Sequence, residues 1–512
     1  MKRWNGIRWI LPWLLSCLCI GGCSAESVGD TVAAPDDGMI ASEEADDYAW
    51  DIAENTEDDE VITLRFPLIV SGDTPDSLSQ VEQAMSDYTE EKIGVRVEFV
   101  SVDMDQLENF YYMQLSAENP VDFLVMLPAE PELTELVDSG VIRSLNPWLE
   151  EYGAGIIEAA GDLLSVGQLR GNQYMIPQLK ETYTMGTSIE FNARLLRKYH
   201  IDVSEIHTIE DLEPLLAKIH REEPEVTAIG VTDAVRLLSG YDDLGDTLGV
   251  LNLAADDSLT VTDWYETEEF YELASLMHHW FEAGYIDEDT LIQQEADSLL
   301  VQEGRTFCCV NTYMPTGNWG SELTEDSIVV EIPLDDQPQL LTSYQAGLEM
   351  VGIMKSCEHP REAMEFLNLL YTDSYVVNLI QHGIEGVDYE KQEDGLVEDF
   401  NHYYLLYGQA VNQKLRYLST DDGSEFLQEV EEYKKKNTTS PAFGFVFDQN
   451  EVAQEVMQCK TVVNAYYPVI SRGCVDPETE IPKFIEALRE AGIDRVIEEK
   501  QRQLSAWTES VP

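Results

Sequence analysis

Two lobes built on parallel α/β sheets are what this chain leads one to expect, on three observations. Strand-like and helix-like segments alternate from residue 61 onward, the pattern of a parallel sheet with crossover helices. Residues 61–512 are ample for two separate cores, with 44% of the whole chain hydrophobic. The C-terminal third reads as mostly helical.

Residues 61–70 (VITLRFPLIV) read as a buried strand, and Asp73 lies in the polar turn that follows. Residues 77–92 form an amphipathic helix, with Leu78, Val81, Met85 and Tyr88 on one face. A strand over 95–100, a helix over 105–117 and a strand over 122–127 continue the alternation, and a helix over 133–139 ends at Gly140 as a C-cap glycine would. Residues 171–177 (GNQYMIP) read as a hairpin turn entering a strand. A further strand covers 183–191, and a helix starts at 192. Thr208 opens another helix, with Asp211 in a capping-box-like position. Residues 229–231 continue the pattern, and 263–283 form a long helix carrying Phe270, Leu273, Leu276, Met277 and Trp280. Strands are expected at 306–310, 327–332 and 350–354, then a helix from Pro360 to residue 370. Further helices are expected at 402–418, 425–435, 450–466 and 481–505.

Ahead of this, Lys2, Arg3 and Arg8 precede an apolar run over 9–20, a charged n-region and a short h-region of a secretory signal. Small residues then lead to Cys23, and a cysteine at the cleavage point resembles the lipobox of bacterial lipoproteins. That resemblance implies removal of residues 1–22 and a lipid on Cys23. Residues 24–60 hold fourteen Asp or Glu and no Lys or Arg, too little apolar surface to offset chain entropy, so 23–60 read as a lipidated, disordered tether. The expected location is the extracytoplasmic face of the cell membrane, reached through that anchor.

Loss of the leader takes three basic residues with it, leaving 98 acidic residues against 28 basic ones. A field of that sign repels nucleic acid and anionic lipid. Beyond the leader and Cys23 the cysteines are Cys308, Cys309, Cys357, Cys459 and Cys474, an odd number without a CxxC spacing. Buried thiols are the plain reading, and a Cys459–Cys474 bridge is left open. His278 and His279 lack a third ligand at metal spacing. There is no HExxH, no GxSxG and no Walker loop, so no catalytic residue, metal or cofactor is assigned.

The order of segments resembles an extracellular solute-binding protein of an ABC importer, in the large two-lobed class that includes carbohydrate binders. The resemblance rests on Glu90-Glu91-Lys92-Ile93-Gly94-Val95, Asp122-Phe123-Leu124, LVDSGVIRSL over 136–145, GNQYMIP over 171–177, Gly304-Arg305-Thr306 and PREAMEFLNLL over 360–370. Farther on, GIEGVDY over 383–389, FGFVFD over 443–448 and GCVDP over 473–477 resemble a subgroup with a distinct C-terminal domain. The resemblance implies a periplasmic-binding-protein-like fold of type II with a hinge between lobes. The N-terminal lobe would hold 61–178 and 333–386, and the C-terminal lobe 179–332 and 387–512.

It also implies a function: capture of a solute, a saccharide or glycan fragment above all, and delivery to the membrane subunits of a permease by a monomeric binder. A lipoprotein glycan-degrading enzyme, or a sensor without a permease, is the alternative. By analogy with that class, ligand groups come from Asp73, from Lys180, Glu181 and Tyr183 at the first interlobe crossing, and from Asn311, Tyr313 and Trp319 in the loop after residue 310. Glu385 at a later crossing and Phe445 on the C-terminal rim complete the expected set. Carboxylates and amides suit sugar hydroxyls, and aromatic faces suit sugar rings.

Overall fold

Strands Ile62–Val70 and Val95–Asp103 run parallel, Ile62 opposite Val95 and Val70 opposite Asp103, with helix Leu78–Ile93 crossing between them. Parallel neighbours need such a crossover. The helix buries Val81 and Met85, Ser86 Oγ donates to Val97 O at 2.8 Å, and Gly94 closes it at φ 74°. The computed structural model describes residues 61–510 apart from 71–73, 104–105, 128–132, 185, 233, 238–239, 254–258, 294, 314–322, 326, 335–338, 401–410 and 421, and apart from the side chains of residues 108, 109, 236 and 313. The leader, Cys23 and the acidic tether lie outside the described residues.

The first lobe grows from that pair. Arg65 N–H donates to Asp122 Oδ2 at 2.7 Å and Asp122 N–H to Arg65 O at 2.9 Å, which brings strand Phe123–Met126 alongside. That strand is antiparallel to Met350–Ile353, itself antiparallel to Met175–Pro177. Helix Pro360–Thr372 starts on its proline and buries Ala363, Met364, Phe366, Leu367 and Leu370 at helical spacing. The rings of Phe66, Phe123 and Phe366 meet at 5.2–5.7 Å between centroids. Each such buried ring contributes about 1.5–3 kcal/mol of transfer free energy.

The second lobe centres on strand Gly186–Asn192, antiparallel to Thr306–Tyr313 on one side and to Val329–Pro333 on the other. Strand Thr227–Gly230 adds parallel to Thr306–Tyr313. Ile189 and Phe191 point into the core with Phe307, Cys308 and Val330. Ser188, Glu190 and Asn192 alternate onto the opposite face and are buried there as well. Helix Glu268–Glu282 lays Phe270, Ala274, Met277 and Trp280 against this core. The C-terminal helices Ala453–Ser471, Pro477–Ala491 and Ile493–Ser510 belong to the same core through Val456, Phe484, Val496 and Leu504.

Three expectations need correction, and the Cys459–Cys474 bridge left open above does not form. The helix expected over 402–418 is not present over 411–418, where only the short 3-10 turn Gln413–Leu415 forms; residues 401–410 lie outside the described set. Asn412 accepts the Lys414 N–H at 3.2 Å, and its own N–H goes to Leu370 O at 3.2 Å, so tertiary bonds take what a helix would use. The helix expected over 481–505 breaks at Gly492, φ 100°, which caps the first half. Residues 411–415 pack with the first lobe, Val411 within its core and Leu415 against it, although the expected division placed 387–512 in the second. Cys459 and Cys474 are free thiols, each facing a carbonyl, Leu488 O and Arg472 O respectively.

Candidate interlobe binding site

Among the described residues three chain segments pass between the lobes, within 178–186, 334–350 and 411–442, and backbone hydrogen bonds join them. Gln178 N–H donates to Glu349 O at 2.8 Å, Leu179 N–H to Val411 O at 3.2 Å, and Gln413 N–H to Leu179 O at 2.7 Å. Strand Gln339–Leu341 runs parallel to Asn437–Thr439, Gln339 opposite Asn437. The Tyr433 hydroxyl, at the end of helix Phe426–Lys434, donates to Thr184 O at 3.3 Å. Leu179 and Val411 of these crossings belong to the first core, and Tyr183, Leu341 and Phe443 pack against a further apolar cluster beside it.

The first crossing carries three expected site residues. Lys180 Nζ lies 3.4 Å from Glu349 Oε1, an ion pair that is largely buried. Tyr183 folds back on the chain: its hydroxyl donates to Gln178 O at 3.0 Å and accepts from Lys180 N–H at 3.2 Å. Burial pushes that phenol well above its usual range. Glu181 is half-buried, in the field of Lys414 and Arg416 from the third crossing. Burial and then the neighbouring Lys434 lower the Lys414 ammonium, while Glu181 opposes them. Arg416 is held by Asp422 through two bonds, at 2.6 and 3.1 Å. Gln178, one percent exposed, has neither amide atom hydrogen-bonded among the described residues. Gln339 Oε1 and Asn437 Oδ1, on the other two crossings, are likewise unpartnered. An unmet buried amide costs about 1–3 kcal/mol, so these groups are conspicuous.

The other expected residues disperse. Asn311 Nδ2 donates to Glu190 Oε2 at 3.0 Å inside the second lobe, so this amide is committed to an internal carboxylate. Glu385 is exposed beside Tyr389 and pairs with Lys391 at 3.3 Å. Phe445 is five percent exposed in the second core, its ring 6.0 Å from that of Trp507, and presents no free face to a cleft. Asp73, Trp319 and the side chain of Tyr313 fall outside the described residues. Sequence reasoning missed Gln178, Glu349, Lys414 and Tyr433. One signal was available, the run Lys434-Lys435-Lys436 in a chain of formal charge −67.

A second constellation lies on the outer face of the second sheet. Glu190 and Glu331 stand opposite each other in register, and Ser188 Oγ donates to Glu331 Oε1 at 2.5 Å. Burial, then the like charge of Glu331, pushes Glu190 up to about 8; burial alone leads for Glu331, at about 7. Among the described residues no group of three or more His, Cys, Asp or Glu is arranged to hold a metal ion.

The chain is similar to known proteins along most of its length. Residues 71–377, more than half of the chain, match the model of a family described as bacterial extracellular solute-binding protein, and residues 441–509 match a domain of unknown function. A carbohydrate ABC transporter substrate-binding protein of Streptococcus pneumoniae serotype 4 is 25% identical over 450 residues, covering 84% of this chain and 88% of the relative. The crystal structure of an N-glycan transport solute binding protein from Streptococcus pneumoniae superposes with a TM-score of 0.75 at 22% identity, covering 88% of this chain and 99% of that one. A Streptococcus pneumoniae ABC-transporter substrate-binding protein in complex with kestose gives a TM-score of 0.62 at 14% identity, with 88% and 100% covered.

Proposed function

The chain belongs to the family of bacterial extracellular solute-binding proteins, and from that premise we propose that it is the substrate-binding subunit of an ABC importer, taking an oligosaccharide or glycan fragment between its lobes. The observation that carries the reading is the junction of three chain crossings, hydrogen-bonded to one another, between the core of one lobe and the core of the other. Such a junction can bend while both cores stay intact, and a ligand held by groups of both sides favours the closed form. The permease then meets the closed form and accepts the cargo unaltered, so the protein itself does no chemistry on it. What its relatives are named for or bound to, carbohydrate, an N-glycan fragment and kestose, supports sugar as the cargo.

In this reading residues 1–22 are a leader, Cys23 carries the lipid, and 24–60 hold a monomeric binder away from the membrane. Glu181 and Lys180 are the ligand contacts of the first crossing, and Asp73, Tyr313 and Trp319 stand beside them as candidates. A thermal-shift screen of the chain against oligosaccharides and peptides tests this. A ligand that binds only the folded form raises the melting temperature, and Glu181→Ala is expected to abolish the rise for the saccharide that gives it. A shift with peptides alone, or none with any saccharide, would overturn the sugar reading.

A further inference from the structure

The antiparallel ladder of the first lobe runs on into the junction. Met350 stands opposite Pro177, and the next pair outward, Gln178 and Glu349, keeps that register through the Gln178 N–H bond to Glu349 O. On its other side the same segment bonds the third crossing, with Leu179 opposite Asn412 in a parallel bridge. The first crossing is therefore the middle of three extended segments that leave the first lobe together. Successive side chains on such a segment point to opposite faces. Leu179 is fully buried in the first core, which turns Gln178 and Lys180 to the other face, with Glu349 across from Gln178 on it. The Lys180 ammonium accordingly reaches the Glu349 carboxylate, at 3.4 Å.

Gln178 is the exception among the buried amides of the described residues. Gln173 Nε2 donates to Leu164 O, and its Oε1 accepts from Gln168 Nε2. Asn192, Asn378 and Asn412 likewise use both amide atoms, Asn378 donating to Ser374 O and accepting the Tyr417 N–H. Gln178, as deeply buried as any of them, uses neither. It sits at the seam between the first and second crossings. At the seam between the second and third, Gln339 and Asn437 stand opposite each other, and each buries an unmet oxygen. An unmet buried amide is costly in a fixed structure and is tolerated where a second arrangement of the chain uses it. The carboxylate within its reach is Glu349, because directly opposed side chains start about 4.5–5.5 Å apart at Cβ.

We propose that Gln178 is the latch of the hinge. When cargo draws the Lys180 ammonium away from Glu349, Gln178 Nε2 donates to that carboxylate in its place, and the three crossings settle into their second arrangement. Lys180 and Gln178 thus exchange one carboxylate, so capture of a ligand is felt in the backbone that joins the lobes. Without the exchange Glu349, three percent exposed, would be stranded as a buried charge. The inference rests on the sugar-binding reading for what draws Lys180 away, whereas the exchange itself belongs to the empty protein and is tested there.

The test is thermal denaturation of the full-length lipoprotein in detergent, without ligand. Gln178→Met removes an amide that has no partner in this arrangement and is expected to raise the melting temperature by about 2 °C. Gln173→Met, which removes a comparably buried amide that has partners, should lower it. Should Gln178→Met not fold, the shorter Gln178→Leu takes its place in the same comparison. Lys180→Met leaves Glu349 to Gln178, and the double variant leaves it to neither. The double variant should therefore lose about 2 °C or more beyond the sum of the two single changes. A fall for Gln178→Met like that for Gln173→Met would mean that a bound water already meets the amide, and would overturn the proposal. Additive changes would show that Gln178 does not reach Glu349, with the same consequence. Either failure leaves the sugar reading standing, since no sugar is present, and a saccharide screen without a hit would overturn that reading while leaving these temperatures as they are.

Discussion

Glu190 and Glu331 face each other across paired strands of the second lobe, two buried carboxyl groups in register with a serine hydroxyl on one and an asparagine amide on the other. Two like charges cannot both persist there, so the pair holds protons at neutrality. Both groups lie above their unfolded values near 4.5, at about 8 and about 7. The folded state therefore binds more protons than the unfolded one between those limits. The stability this gives is full below about pH 4.5 and is lost as pH rises through 7 to 8. Urea denaturation across pH 5–9 should show it, and Glu331→Gln should flatten that slope and raise stability at pH 8. A variant with the same slope as the parent would refute the shared-proton account.

Lys500 is fully buried, 2.7 Å from Asp246, and also donates to Gly249 O at 3.2 Å, with its ammonium over the Phe447 ring. Removing one partner of such a pair strands the other charge. Lys500→Met should cost about 3–5 kcal/mol, and adding Asp246→Asn should recover much of it. Chemical denaturation of the single and double variants checks this, and equal losses in both would be the contrary result.

Arg170 sits at the tip of a first-lobe hairpin with φ 51° and forks two carboxylates, Asp138 at 2.6 Å and Asp448 at 2.6 Å. Asp448 comes from the segment leading into the C-terminal helices, so this guanidinium ties the two parts of the chain together. Positive φ strains any side chain, and glycine relieves it. Both Arg170→Ala and Arg170→Gly should destabilise, the glycine variant by about 0.5–1 kcal/mol less. Equal melting temperatures for the two would mean that the turn carries no strain.

Gly473 has φ 73°, and a Cβ built there would stand 2.2 Å from Met277 O on the long helix of the second lobe. No rotamer avoids a backbone atom. Gly473→Ala should lose several kcal/mol, enough to leave little folded protein, whereas Gly94→Ala, with nothing within 4 Å of the added carbon, should cost about 1–2 kcal/mol from backbone conformation alone. Soluble yield and melting temperature separate the two cases.

Local rules carried the reading of the lobes. Pro360 and the apolar spacing after it specify a helix whatever surrounds them, and the Ile62–Val70 and Val95–Asp103 pair is written in buried apolar runs around an amphipathic helix. Residues 411–418 did not follow their apparent helical character, because Asn412 and the backbone beside it bond to Leu179 and Leu370, far away in the chain. The junction was legible only where it is contiguous, at Lys180, Glu181 and Tyr183. Lys414, Glu349 and Tyr433 join it through three crossings that no local pattern encodes. Asn311 is expected as a ligand group by analogy with the resembled class, and its partner, Glu190, declares itself only once the register is known.

The discontinuity of the first lobe governs how such a molecule can come into being. Its opening strand, Ile62–Val70, and the Val411 that finishes its interior are separated in the chain by the whole sheet of its neighbour. A polypeptide delivered N-terminus first consequently carries Phe66 and Phe123 without their full cover until late in its emergence. Neither half should be obtainable by cutting the gene at one point, and any factor that guards the nascent chain has most to protect before the second crossing returns.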